Sequence, residues 1–304
     1  MKLILFTLMW SFIVFPVLLG ASRGTAADCD DPAVLRVALN FGYQLPRRID
    51  QQMAMKRFLT QLIGKDIELL ETSGYSRMMV GLQNNKIDLT WVGANTFIQA
   101  EKLDYAIEPF ATYYQTSGHS HIPGIGYQSL LIVRRGSEFD TIDSLRQATL
   151  ALVDPGSTSG FLVPNVLFTE IITTPLEGYF KKVLMSGRHN RSIEAVANGT
   201  VDAAFVASEW LSREYSKGEY MPDHFSILWR SPIIPSGPFV YRSRLCHELK
   251  QKISEALLQA HLHPLGQIWL KEVEADKIVP IVSERFDLVR RLDRNRHRPE
   301  HESK

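Results

Sequence analysis

The stretch "VDPGSTSGFLVP" (Val153–Pro164) closes an apolar run and packs three hydroxyl residues between two glycines. "ATLAL" before it reads as a strand, and "FLVPNVLFTEII" within and after it has the apolar spacing of a helix. Strands that turn into helices in this way build α/β folds, in which parallel strands lie between helical layers. The turn also poses a chemical choice. Ser157, Thr158 and Ser159 stand where backbone N–H groups lack intrahelical partners and the helix dipole is positive. One hydroxyl can cap the helix. All three can cradle an anion, with Gly160 letting the main chain come close. A nucleophilic serine is the third reading, but the elbow pattern G-x-S-x-G fails because the middle residue of "GSTSG" is Thr158. A cap needs only one hydroxyl, so three between glycines favour the anion.

The same alternation runs outward from the turn. Strand-like runs are "VLRVALNF", "DIELLET", "IDLTWVG", "SLLIVRR", "ATLALVD", "VLMS", "VDAAFVA" and "FSILWR". Helical spacing appears in "IDQQMAMKRFLTQLIG", "SRMMVGLQNN", "SIEAVANG" and "CHELKQKISEALLQAHL". Sliding the chain along itself by 114 residues lays "RVALNFGY" on "LALVDPGS" and "GLQNNKIDLTWVGAN" on "AVANGTVDAAFVASE" without a gap. The shift pairs Tyr43 with Ser157, Tyr75 with His189 and Asn95 with Glu209. Open α/β sheets bind ligands beyond the carboxyl ends of their strands. Two such lobes facing each other would turn these six residues toward one cleft.

Taken singly, these residues stay ambiguous. His189 precedes a helix, where it can donate to an oxyanion, or add charge as imidazolium, or simply be solvated. Tyr75 has the same setting and reads equally as packing. Glu209 opens a helix, where the dipole favours an acid in any case. Tyr127 starts a strand after a Gly/Pro loop, at a crossing between lobes, and "WRSPIIPSGPFVYR" (Trp229–Arg242) is the return crossing. Trp91 fills core or lines the cleft. A Ser–His–Glu triad of Ser157, His189 and Glu209 can be drawn, but no spacing supports it, and no catalytic residue is assigned.

The 304 residues carry 34 Lys+Arg against 33 Asp+Glu and are 45% hydrophobic, which suits two cores and gives no electrostatic footprint for nucleic acid. "LILFTLMWSFIVFPVLLG" followed by "ASRGTAAD" reads as a signal peptide over residues 1–27, cut near Ala26 or Ala27; left uncut, the run would serve as an anchor. Cys29 and Cys246 can pair in an exported chain, though spacing alone does not bring them together. "HSH" (His119, His121) and "HLH" (His261, His263) lack further ligands, so no metal and no cofactor is expected. The basic end, residues 291–304, reads as a solvated tail.

"YQSLLIVRRGSEFDTIDSL", "DPGSTSGFLVP", "SGRHNRSIEAVANGTVDAA" and "WRSPIIPSGPFVYR" come in an order and spacing that resemble the periplasmic phosphonate-binding proteins. These are solute receptors of phosphonate, phosphite and phosphate ABC importers. The resemblance runs from about Leu35 to Leu245 and is weaker in the C-terminal helices. It implies a type II periplasmic binding fold: two α/β lobes, each a mostly parallel sheet flanked by helices, closing on a ligand in the interlobe cleft. Lobe one would span 31–121 plus 235–290, and lobe two 122–234. Ser157, Thr158 and Ser159 would hold the phosphoryl oxygens, His189 would face the oxyanion, and Tyr75 and Tyr127 would line the cleft. Glu209 would meet an amino group; Tyr43 and Asn95 join the site from the 114-residue pairing alone. One departure stands out: the family's second acid toward that amine falls on Gly237. The implied protein is a monomeric, periplasmic, non-enzymatic receptor. It would deliver a small phosphonate, phosphite or phosphate to an ABC permease. A receptor feeding a membrane sensor kinase is the alternative, and an exported esterase or phosphatase is the more distant one.

Overall fold

The computed structural model describes residues 29–39, 48–72 and 74–296. The chain begins with β1 (Val34–Leu39), α1 (Arg48–Ile63), β2 (Asp66–Leu70), α2 (Tyr75–Gln83), β3 (Leu89–Trp91), α3 (Ala94–Lys102) and β4 (Ile107–Gln115). After β5 (Gly126–Tyr127) come β6 (Ser129–Arg134), β7 (Thr149–Leu152), α4 (Thr169–Ile172), α5 (Leu176–Tyr179), β8 (Lys182–Met185) and α6 (His189–Ala197). β9 (Ala203–Ala207), α7 (Ser208–Ser216) and β10 (Phe225–Arg230) follow. The chain then returns through β11 (Ile234–Pro235) and β12 (Phe239–Arg242) to α8 (His247–Leu258), α9 (Pro264–Glu272), β13 (Ala275–Pro280) and α10 (Asp287–Arg296).

These strands form one sheet in the order β13-β4-β12-β3-β1-β2 and a second in the order β10-β6-β9-β7-β8. The expected sheets were mostly parallel; both are mixed. β3-β1-β2 and β9-β7-β8 are parallel, because each step runs through a helix, while β12, β4 and β13 and then β6 and β10 join antiparallel. The two crossings meet as a small antiparallel ribbon, with Ile234 opposite Tyr127.

The internal repeat is real in the helices. α2 and α6 correspond residue for residue at the 114 offset (75 to 189, 83 to 197), and so do α3 and α7 (94 to 208, 102 to 216). The first strand departs from it. β1 sets Val37 against Leu89, whereas β7 sets Leu150 against Ala203, so β1 maps onto β7 one residue short of the offset. The anchoring acids show the same slip. Asp88 accepts the Arg36 backbone N–H at 2.9 Å, and its repeat-mate Asp202 accepts that of Thr149 at 2.7 Å.

The core follows the sheets. Leu35, Met55, Phe58 and Trp269 pack under the first, and Leu131, Phe168 and Phe205 under the second. A further cluster draws on both: Ala38 and Phe97 meet Leu162, Val166 and Phe286. α10 belongs to it through Val289 and Leu292, and its buried Asp293 accepts from Gln99 at 2.8 Å and from Lys102 at 2.7 Å. The basic end expected as a solvated tail is therefore helix as far as Arg296. Its apolar stripe (Leu288, Val289, Leu292) is simply outnumbered by charge. Cys29 and Cys246 are disulfide-bonded, joining the start of the described chain to the N-cap of α8. The proposed signal segment and residues 297–304 lie outside the described residues.

Candidate functional site

Five helix starts converge between the two sheets. Tyr75 is the first residue of α2 and His189 the first of α6. Gly93 is the N-cap of α3 and Ala207 that of α7, while Ser157 caps the helical segment that begins at Thr158. That segment is π-helical over Thr158–Leu162 and Pro164–Phe168. Pro164 has no N–H to give, and the Leu162 N–H reaches back five residues to the Ser157 carbonyl at 3.1 Å. The cavity between them holds ≈ 50 Å³ and is lined by Tyr75, Met78, Trp91, Val92, Gly93, Thr96, Tyr127, Ser157, Thr158, His189, Glu209 and Trp210. No described residue that lines it is Lys or Arg. Attraction for an anion there would have to come from helix ends and polar hydrogens.

Each donor is set by a second contact. Ser157 Oγ accepts the Gly160 N–H at 3.0 Å, which leaves its own hydrogen to point elsewhere. Gly160 has to be glycine, since a Cβ there would stand 2.3 Å from Val153 Cγ2. Thr158 Oγ1 accepts the Asn95 N–H at 2.8 Å, so its hydrogen is likewise available. His189 Nδ1 accepts the Ala207 N–H at 3.1 Å, which keeps the ring proton on Nε2, 3.4 Å from Ser157 Oγ. Burial pushes the His189 pKa down to about 3, so the ring is a neutral donor and not the imidazolium that its position also allowed. Trp210 stacks against it, centroids 5.9 Å apart at 24°.

This tautomer removes the hydrolase reading. A base for Ser157 would need a bare nitrogen toward Oγ, but Nε2 carries the proton and the lone pair on Nδ1 is held by Ala207. Glu209 is shaped by burial as well. Desolvation lifts its carboxyl to about 8, against smaller opposing effects of a backbone hydrogen bond and the Arg213 charge, and its Oε2 is buried without a partner. Desolvation lifts the Tyr75 hydroxyl to about 12 and raises Tyr127 further still. Both phenols therefore keep their hydrogens at any physiological pH.

Six of the expected residues line one cavity: Tyr75, Tyr127, Ser157, Thr158, His189 and Glu209. Ser159 does not. It is buried behind the lining, with its hydroxyl beside that of Tyr127, and its carbonyl accepts from Ser129 Oγ at 2.6 Å. Asn95 ties the halves together instead of facing the cavity, its Nδ2 donating to the Pro155 carbonyl at 2.9 Å. Thr96, which lines the cavity, also bonds across, its Oγ1 donating to the Gly156 carbonyl at 3.0 Å. Tyr43 lies outside the described residues. Trp91 does both things the sequence left open, packing on the first core and lining the cavity. Met78, Val92, Gly93, Thr96 and Trp210 were missed; Trp210 had the one usable signal, its place beside Glu209 at the start of α7. Gly237 is more than a missing carboxylate. A Cβ there would lie 1.9 Å from the Val92 carbonyl oxygen, so main chain fills the space an acid would need.

Residues 43–286 match the family described as "ABC transporter, phosphonate, periplasmic substrate-binding protein". The phosphonates-binding periplasmic protein of Escherichia coli K12 is 30% identical over 196 residues, which is 63% of this chain and 55% of that protein's length. The phosphate-import protein PhnD of Mycolicibacterium smegmatis is 25% identical over 254 residues, 78% of this chain and 77% of the relative. Among solved structures, a binding protein component of an ABC phosphonate transporter from Pseudomonas aeruginosa superposes with a TM-score of 0.78 at 23% identity, covering 88% of this chain and 87% of the other. PhnD1 of Prochlorococcus marinus in complex with methylphosphonate gives 0.73 at 17% identity, over 87% and 98%.

Proposed function

As this chain belongs to the family of periplasmic substrate-binding proteins of phosphonate ABC transporters, we propose that it captures a compact phosphorus oxyanion in the periplasm. The ligand class is phosphate, phosphite or methylphosphonate, and delivery is to an ABC permease. The observation that carries this reading is the convergence of five helix starts on a small cavity without a lysine or arginine in its described lining. Ser157, Thr158 and His189 Nε2 offer hydrogens toward it from the second half, and Tyr75 and Tyr127 keep theirs. Such preset dipoles hold an anion without the desolvation cost of burying a cation beside it.

Size narrows the ligand. A cavity of ≈ 50 Å³ is small, which suits a compact ligand built on one tetrahedral phosphorus. Gly237 against Val92 closes the place of a second acid, and Glu209 is held largely protonated at neutral pH. Both disfavour an ammonium on the ligand. Capture works by population shift: a ligand touching both halves favours the closed form, which the permease then reads.

Calorimetric titration with phosphate, phosphite, methylphosphonate and 2-aminoethylphosphonate tests the reading. The three compact anions are expected to bind and the aminoalkyl compound to bind at least tenfold more weakly, on the order of one lost charge-assisted hydrogen bond. Absence of binding by all four at millimolar concentration would sink the ligand class. Tightest binding of 2-aminoethylphosphonate would sink the argument from Gly237 and Glu209.

A further inference from the structure

α7 reaches three places at once. Its first turn puts Glu209 and Trp210 into the cavity wall. Its serines hold both ends of the crossing between the sheets: Ser212 Oγ accepts the Ser120 N–H at 2.8 Å, and Ser208 Oγ bonds His121 Nδ1 at 3.0 Å and accepts the Gln128 N–H at 3.1 Å. Arg213, buried, then leaves this helix for the first sheet's side, donating from Nη2 to the Val273 carbonyl at 2.8 Å. Val273 is the C-cap of α9, where the negative dipole end suits a guanidinium. The Gln115 amide, turned with its nitrogen toward them, donates to the Val273 and Glu274 carbonyls, so β4 meets the same cap just before the crossing.

Within α7 the guanidinium also lies over the Trp210 ring, 5.1 Å from its centroid, and the other neighbour of that ring is His189. A continuous stack thus runs from the cavity to the crossing: His189, Trp210, Arg213, then the end of α9. We infer that Arg213 is a positioning residue, a hinge brace that couples occupation of the cavity, through Trp210 and His189, to the closed setting of the two halves. Ligand on His189 Nε2 holds the imidazole and hence Trp210, and Trp210 holds the guanidinium on Val273. Coupling is reciprocal, so weakening the brace must weaken the ligand. The inference rests on the reading of the cavity as an oxyanion site.

The test compares wild type, Arg213→Met and Arg213→Lys by phosphate calorimetry, small-angle scattering and backbone amide exchange of residues 113–121 and 272–276, with melting temperature recorded separately. Arg213→Met is expected to raise the phosphate Kd about tenfold. It should also blunt the phosphate-induced compaction and remove the phosphate-induced slowing of exchange in those segments. Arg213→Lys, which can still donate to Val273, should recover part of all three and remains informative where Arg213→Met folds poorly. A lower melting temperature with wild-type Kd, compaction and protection would overturn the brace and leave Arg213 a packing residue. If wild type itself binds neither phosphate nor the other anions, the cavity reading fails on its own account. The brace is then judged in the unliganded protein: faster exchange of the same segments in Arg213→Met upholds it, and unchanged exchange overturns it.

Discussion

The two halves of the repeat start their helices at matching residues and fill those positions with different chemistry. Tyr75 and His189 open α2 and α6, and Asn95 and Glu209 stand second in α3 and α7. In the second half these positions, with the turn at Ser157 and Thr158, face the cavity with a neutral ring donor and a protonated carboxyl. In the first half Tyr75 lines the cavity while Asn95 is occupied with Thr158 and Pro155. The second half therefore does most of the gripping, while the first half, beyond Tyr75 and its two helix starts, closes. A fold repeated in this way needs its geometry twice but most of its anion chemistry only once.

The sharpest way to break this division is Thr158→Val, because Thr158 serves both tasks. It takes the Asn95 N–H and keeps a hydrogen for the ligand. Removing it strands a buried N–H, at about 1–3 kcal/mol, and deletes a bond to an anion worth about 1.5–3 kcal/mol. Calorimetry should show phosphate Kd raised about 100-fold. An effect near threefold would mean that the halves close without this bond.

His189→Ala comes next, with an expected loss of about 30-fold for one charge-assisted bond, while His189→Gln retains a donor and should lose less. The same residue has a stability signature. Its folded pKa is depressed to about 3 from 6.5, so the contribution is present above 6.5 and is lost as pH falls toward 3. Melting temperature followed from pH 7 down to 4 should therefore fall less steeply in His189→Gln than in wild type. Identical slopes would place the acid sensitivity elsewhere.

Glu209 is expected to act with the opposite sign. Its folded pKa is raised from 4.5 to about 8, so its contribution to stability is full below 4.5 and is lost as pH rises through 8. The carboxylate formed there also repels an anion in the cavity. Phosphate affinity in wild type should drop by up to about tenfold per pH unit above 8, and Glu209→Gln should flatten that limb while binding normally at pH 7. A wild-type profile without the limb would show that Glu209 does not face the ligand.

These assignments were legible in the sequence to different degrees, for physical reasons. The helix starts could be read because caps and apolar stripes are local, and so the 114 offset survives there residue for residue. The slip in β1 could not, because register is settled by pairing across the sheet. β4 was hidden by Pro109, which lies where its register with β12 shifts and is tolerated there. Ser159 looked identical to its neighbours; only the path of the helical segment sets it behind the lining, beside the Tyr127 hydroxyl. Gly237 reads in sequence as a lost carboxylate, and its contact with Val92 becomes visible only when two distant strands are brought together.

Asn95→Ala is the smallest expected effect and the most direct check on the comparison. The side chain gives one hydrogen bond, Nδ2 to the Pro155 carbonyl, and carries a buried Oδ1 with no partner. Losing the first costs about 0.5–1.5 kcal/mol net, and removing the second offsets part of it, since an unpaired buried oxygen is itself unfavourable. The bond to Thr158 comes from the Asn95 backbone and survives the substitution. Phosphate Kd should therefore rise no more than about threefold, with on-rates unchanged and the loss confined to faster release as the closed form opens. A loss as large as that of Thr158→Val would mean that the Asn95 side chain meets the ligand, so that both halves grip and the division between them does not hold.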